Sequence, residues 1–133
     1  MFLARLTADE RRALLALAER VAMSDGSVTA HEVDGLIALR REAGEPGGGD
    51  LPRGDVSTLA GAFGSPASRR IALLALLGIA LADLHLHEHE ARILEELRGH
   101  FGVSAEELGT LKRWVLRDLA LREEAEALLR GGG

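Results

Sequence analysis

Two acidic residues flank a short turn near the start of the chain. Residues 24–32 read SDGSVTAHE, which places Asp25 before a glycine and Glu32 at the end of the stretch. Asp83 and Glu90 have the same separation in the second half of the chain. Carboxylate oxygens are the ligands that hard cations such as Ca²⁺ and Mg²⁺ prefer. If the two acidic pairs converge in the fold, the four carboxylates are a candidate divalent-metal site.

The shift that aligns Asp25 with Asp83 extends beyond these acids. It also aligns Arg11-Arg12 with Arg69-Arg70, Thr7 with Ser65, and Gly44 with Gly102. A match of acids, arginine pairs and helix-capping residues at one offset indicates an internal repeat. The repeat predicts two helix–loop–helix units related by a pseudo-twofold axis.

A structural role competes with the metal role at each acid. Thr29 as the N-cap and Glu32 at the third helical position form a capping box, which occupies the carboxylate. Asp25 ends a helix, where its charge opposes the helix dipole, so a turn hydrogen bond, an arginine or a cation should compensate. An EF-hand is excluded, because Leu36 and Leu94 stand where its bidentate glutamate is required.

Three histidines alternate in the second acidic stretch, DLHLHEHE, which contains His85, His87 and His89. Imidazole ligands would shift the preference from Ca²⁺ or Mg²⁺ towards zinc or another transition metal. Alternate side chains point to the same side only when the loop is extended. His89 is predicted to lie in a helix, so the three histidines need not converge. Solvated loop histidines are the alternative, and a small metalloenzyme built on them is a third hypothesis.

The elements that must position these residues are all helical. The sequence has no convincing stretch in which apolar and polar residues alternate as in a strand, and its apolar residues recur at helical spacing. We therefore predict an all-α, compact bundle of about six to seven helices. Apolar residues cover nearly the whole surface of the fourth predicted helix, which places it at the centre. Gly78 within that helix predicts a close helix crossing. On the second helix, Val33, Leu36 and Ile37 are predicted to face inward. The predicted helices span residues 8–24, 29–44, 56–63, 66–82, 88–100 and 104 onward.

Composition excludes several classes of protein. The 133 residues are 47% hydrophobic and 3% aromatic, which favours a core of aliphatic residues between packed helices. The net charge of −5 and the scattered basic residues argue against a nucleic-acid partner. The chain has no cysteine, its first residues do not resemble a signal peptide, and its longest apolar run, residues 71–82, is too short to span a membrane. We therefore expect a cytoplasmic protein.

No catalytic constellation is present in the sequence. The serines lie at predicted caps and turns, without a partner base. The glycine-rich stretch GEPGGGD lacks the Lys-Ser/Thr ending of a phosphate-binding loop. The sequence therefore predicts a protein that is not an enzyme.

The stretches LAERVAMSDGSVTAHE and LLGIALADLHLHEHEARILEELRGHFGVSAEEL resemble the TerB-like tellurite-resistance domain. That family is all-helical and carries an Asp-Gly-x-[Ile/Val]-[Ser/Thr]-x-x-Glu motif, repeated in weaker form. The resemblance covers residues 5 to 120 approximately, and Leu84 and His87 depart from the motif in the second copy. It implies metal or small-ligand chelation by Asp25, Glu32, Asp83 and Glu90, in a tellurite or stress-response system.

The predicted organisation is one TerB-like domain over residues 1–130. It comprises a first repeat unit at 5–44, a loop at 45–54, a second unit at 64–102 and C-terminal helices at 104–130.

The alternative function is a protein–protein interaction module whose acids are purely structural. Its partners would be other proteins, including membrane-associated ones, or a second copy of the chain. Trp114 is the natural anchor for such a surface.

Overall fold

The computed structural model describes residues 2–23, 30–44, 51–82 and 86–131, with only the backbone of residues 30–32. Over these residues the protein is all-helical and has no strand, as predicted. A 3-10 turn at Leu3–Arg5 precedes six α-helices. They are α1 (Ala8–Ala22), α2 (Ala30–Ala43), α3 (Val56–Ala60), α4 (Pro66–Ala80), α5 (Glu88–Phe101) and α6 (Ala105–Leu129).

The bounds of the helices repeat along the chain. The shift that aligns Asp25 with Asp83 also carries both ends of α1 onto those of α4, and both ends of α2 onto those of α5. Gly44 and Gly102, which follow α2 and α5, both have positive φ, 79° and 69°. A positive φ at this position ends a helix with little steric cost only for glycine. The repeat found in the sequence is thus also present in the positions at which the helices begin and end.

Helix α4 lies at the centre of the bundle, as its composition predicts. It packs against α1, α2, α5 and α6. Ser65 caps it by accepting a hydrogen bond from the Ser68 N–H at 3.0 Å, and Pro66 occupies the first helical position. Proline is favoured there because that N–H has no intrahelical partner.

The inward face of α2 differs from the prediction. Leu36 packs against the core as predicted, but Val33 and Ile37 are 41% and 45% exposed, whereas Leu39 and Ala43 are buried. A Cβ added at Gly35 would lie 3.4 Å from Ile79 Cγ1, so α2 approaches α4 through the side that carries this glycine. The helix is therefore rotated away from the face that apolar spacing favoured.

The close crossing predicted at Gly78 is wrong. A Cβ added at Gly78 would have nothing within 4 Å among the described residues, so no neighbouring helix requires a glycine there. The close approach to α4 instead involves Gly35 of α2.

Two predictions about the later helices needed adjustment. Helix α3 ends at Ala60 rather than Phe63, and Phe63 packs edge-on against Phe101 with ring centroids 5.5 Å apart. Ser104 caps α6 by accepting from the Glu107 N–H at 3.1 Å. The Glu107 carboxylate does not complete a capping box, because it accepts a hydrogen bond from Arg70 Nε at 2.7 Å and joins α6 to α4.

A buried carboxylate connects the beginnings of the two repeats. Glu10 Oε1 accepts from the Thr7 N–H at 2.9 Å, and Oε2 accepts from the Gly64 N–H at 3.1 Å. Burial raises the pKa of Glu10, but the hydrogen bonds from Thr7, Gly64 and Ser68 together outweigh it and hold that pKa below its ordinary value. The ionised carboxylate therefore contributes to the stability of the fold.

We expect Glu10→Gln to destabilise the protein by about 1–3 kcal/mol near neutral pH, because the amide nitrogen cannot accept from a buried N–H. Since the folded pKa is depressed, the stabilisation by the carboxylate is complete above the unfolded pKa and is lost as pH falls through the folded one. Urea denaturation between about pH 7 and 3 should show the two proteins converging as the carboxylate is protonated. Glu124→Gln on the exposed part of α6 is the control, and a gap that does not change with pH would contradict the assignment.

Candidate functional site

The four acids predicted as metal ligands fall unevenly within the described residues. Asp25 and Asp83 lie outside them, and of Glu32 only the backbone position is described, as the third residue of α2. Glu90 is the equivalent third residue of α5, and its side chain is described. The metal-site prediction as a whole therefore stays a prediction.

Glu90 is buried and holds the start of its helix. It is 2% exposed, and its Oε1 accepts a hydrogen bond from the His87 N–H at 3.2 Å. His87 is the N-cap, in the extended conformation that a capping residue adopts. The capping role weighed for Glu32 in the first repeat is thus present at Glu90 in the second.

The histidines of the second acidic stretch are solvent-exposed where they are described. His87 and His89 are both exposed, and His85 lies outside the described residues. Within the described residues, no three His, Cys, Asp or Glu side chains are grouped closely enough to hold a metal ion.

One cleft is lined by described residues next to both acidic stretches, residues 25–32 and 83–90, which we call the hinges. A cleft of about 890 Å³ lies between α1, α2, α5 and the segment that precedes α3. Met23, two residues before Asp25, lines it together with His89, which directly precedes Glu90. The carboxyl end of α1 and the amino end of α5 therefore meet at the same place on the surface.

Arginines dominate the polar lining of this cleft, which we call the arginine cleft. Four separate segments each contribute one arginine, and Glu19 is the only acidic residue among the described lining residues. These arginines are Arg20, Arg40, Arg53 and Arg92. The basic residues are scattered along the sequence, so this cluster was not predicted. Residues so far apart in sequence give no local signal, and only the fold brings them together.

Two contacts fix the walls of the arginine cleft. Arg40 of α2 forms an ion pair with Glu19 of α1. Arg20 Nη2 donates to the Gly54 carbonyl at 2.8 Å and so attaches the segment before α3 to α1. The next residue, Asp55, caps α3 by accepting from the Thr58 N–H at 2.8 Å. The hydrogen bonds from Thr58 hold the pKa of Asp55 below its ordinary value.

Comparison with known families identifies much of this architecture. The family model described as tellurite resistance protein TerB matches residues 53–113. Residues 53–113 are therefore similar to the TerB family. The match spans α3, α4, α5 and the first part of α6, and it confirms over that range the resemblance stated from the sequence. Comparisons with curated proteins and with solved structures gave no match.

The TerB match includes the second acidic stretch and not the first. Asp83 and Glu90 lie inside residues 53–113, whereas Asp25 and Glu32 precede them. The Asp-Gly-x-[Ile/Val]-[Ser/Thr]-x-x-Glu motif is complete in the first stretch. The matched residues contain only the second stretch, in which Leu84 and His87 depart from the motif. For the residues before 53, the resemblance to TerB therefore stays a prediction from the sequence.

We expect Glu90→Ala to destabilise the protein by about 1–3 kcal/mol, because the substitution removes a buried side chain and the acceptor of the part-buried His87 N–H at the start of α5. Glu88→Ala is the matched control, since Glu88 is exposed on the same first turn and should change stability by less than about 0.5 kcal/mol. Chemical denaturation monitored by circular dichroism measures both. Equal effects of the two substitutions would show that the Glu90 cap has no special structural role.

Proposed function

We propose that the protein is a TerB-like binding domain whose two helix-joining hinges hold a divalent cation, without catalysis. The ligands would be Asp25 and Asp83, with Glu32 and Glu90 at the helix starts. The observation that supports this most directly is the shared cleft: Met23, beside the first hinge, and His89, beside the second, line the same cavity.

The chemistry of the hinges favours a hard cation. Four carboxylates brought to one end of a bundle repel one another, and a bound divalent ion relieves that repulsion. Oxygen ligands alone favour Ca²⁺ or Mg²⁺, whereas a contribution from the neighbouring histidines would favour Zn²⁺. By resemblance to the family, such a domain would act in a tellurite or stress-response system in the cytoplasm. No helix among the described residues has the length and apolar content needed to cross a membrane.

We expect wild-type protein to bind one of Ca²⁺, Mg²⁺ or Zn²⁺ in isothermal titration calorimetry after treatment with a chelator. The double variant Asp25→Asn/Asp83→Asn should weaken binding by at least about tenfold, because it removes one anionic ligand from each hinge. Glu123→Gln/Glu124→Gln removes two charges from the exposed part of α6 and should leave binding unchanged. Absence of heat with all three ions, under conditions where the protein is folded, would refute the proposal.

A protein–protein interaction module is the second candidate, and exposed leucines favour it. Leu121, Leu128 and Leu129, in the last part of α6, are 63%, 74% and 81% exposed. The Trp114 side chain is less available as an anchor, because it is partly buried and packs against Phe2 with ring centroids 6.3 Å apart. The end of α6 is therefore a better candidate surface than Trp114.

If the end of α6 mediates association, Leu121→Glu/Leu128→Glu should abolish it, because two charges would be buried in an apolar interface. Light scattering after size-exclusion chromatography measures self-association, and pull-down compares the partners of wild type and variant. Ala120→Glu/Arg122→Glu is the control on exposed neighbouring positions. A monomeric wild type whose pull-down profile is unchanged by the leucine substitutions would contradict this role.

A further inference from the structure

The arginine cleft concentrates positive charge in an acidic protein. The chain carries a net charge of −5, yet among the described residues the charged side chains that line this cleft are four arginines and one glutamate. Such a local excess, opposite in sign to the molecule as a whole, attracts small anions into the cavity. The charge distribution therefore calls for a ligand different from the cation proposed for the hinges.

The guanidinium groups of the cleft retain capacity to bind. Arg92 pairs with Glu88 at 2.6 Å, but both side chains are at least 70% exposed, and such surface pairs are weak. Arg53 makes no hydrogen bond or ion pair with any described residue. Arg40 keeps Nη1 buried and without a hydrogen-bond partner among the described residues, although it pairs with Glu19 through Nη2. A buried donor left without an acceptor is costly, so an additional acceptor next to Arg40 would be stabilising.

Apart from the arginines, Glu19 and His89, the described lining residues are apolar or glycine. Met23, Leu59 and Ile93 contribute side chains from the end of α1, from α3 and from α5, and Pro52 adds a rigid ring from the segment before α3. The volume of about 890 Å³ is within the range of cavities that enclose small organic ligands. An inorganic anion would leave this apolar surface in contact with water. The lining therefore favours a ligand that has both an anionic group and an apolar body.

We propose that the arginine cleft binds a small organic phosphate of about the size of a nucleoside monophosphate. The planar fork of arginine matches phosphate oxygens in bidentate geometry, and several arginines together balance a dianion. The apolar lining contacts the organic part of the ligand. The two sites border the same cleft, at Met23 and His89, but the phosphate would be held by the arginines rather than by the hinge acids, so its binding does not require the cation.

The test is calorimetric titration of the full chain with adenosine monophosphate, inorganic phosphate, adenosine and citrate, in a buffer that contains a chelator. We expect adenosine monophosphate to bind most tightly, and its affinity to fall as salt is added. Arg53→Gln/Arg92→Gln should weaken its binding by about tenfold or more, since each arginine supplies charge-assisted hydrogen bonds. Arg117→Gln/Arg122→Gln removes the same charge from α6, outside the cleft, and should change the affinity by less than about twofold.

Four results would overturn the proposal. Absence of heat with all four probes means that the cleft binds no such anion. Equal weakening by the cleft and control variants means that only net charge matters. If adenosine binds as tightly as its monophosphate, the arginines do not recognise the phosphate group. If inorganic phosphate or citrate binds more tightly than the nucleotide, the ligand is not an organic phosphate. Because the chelator removes divalent ions, failure here is distinguishable from failure of the hinge proposal, which is tested with the metals alone.

Discussion

The burial of one apolar helix constrains the whole bundle. Helix α4 carries apolar residues around most of its circumference, and exposing any side of it to water would be unfavourable in proportion to the area exposed. Four other helices cover it, and their positions are set by that requirement. The places where the helices begin and end are consequently the places where polar groups gather. Both acidic hinges and the arginine cleft belong to those ends.

Local chemical signals predicted the helix starts well, because each depends on neighbours in sequence. Thr7 with Glu10 marks the first turn of α1, and Ser65 with Ser68 marks that of α4, through hydrogen bonds from backbone N–H groups to side chains only three residues away. Gly102 marks the end of α5 through its positive φ. Such signals are independent of tertiary context, which is why the bounds of α1, α2, α4 and α5 deviate little from prediction and repeat at one offset.

Features that depend on packing could not be derived in the same way. Val33 and Ile37 have helical spacing typical of an inward face, but the close approach at Gly35 determined which side of α2 contacts α4. Glu107 has the spacing of a capping box, yet Arg70 offers its carboxylate a charged partner from another helix. The arginine cleft is the extreme case, since its charges come from four segments that share no sequence pattern. The repeated spacing of the hinge acids predicted a metal site. Of these acids the structure describes only the Glu90 side chain, which is buried and caps its helix.

The matching helix bounds of the two repeats have a consequence for symmetry. At the offset that superposes the repeats, Arg20 corresponds to Gly78 and Arg53 to Leu111, neither of which carries a charge. Arg40 corresponds to Arg98, whose guanidinium is already engaged by Glu95 and by the Val103 carbonyl. The duplication therefore copied the scaffold without copying the cleft. Helices whose bounds repeat along the chain thus carry a cleft that occurs once, and the expected stoichiometry for an anion is one molecule per chain rather than two.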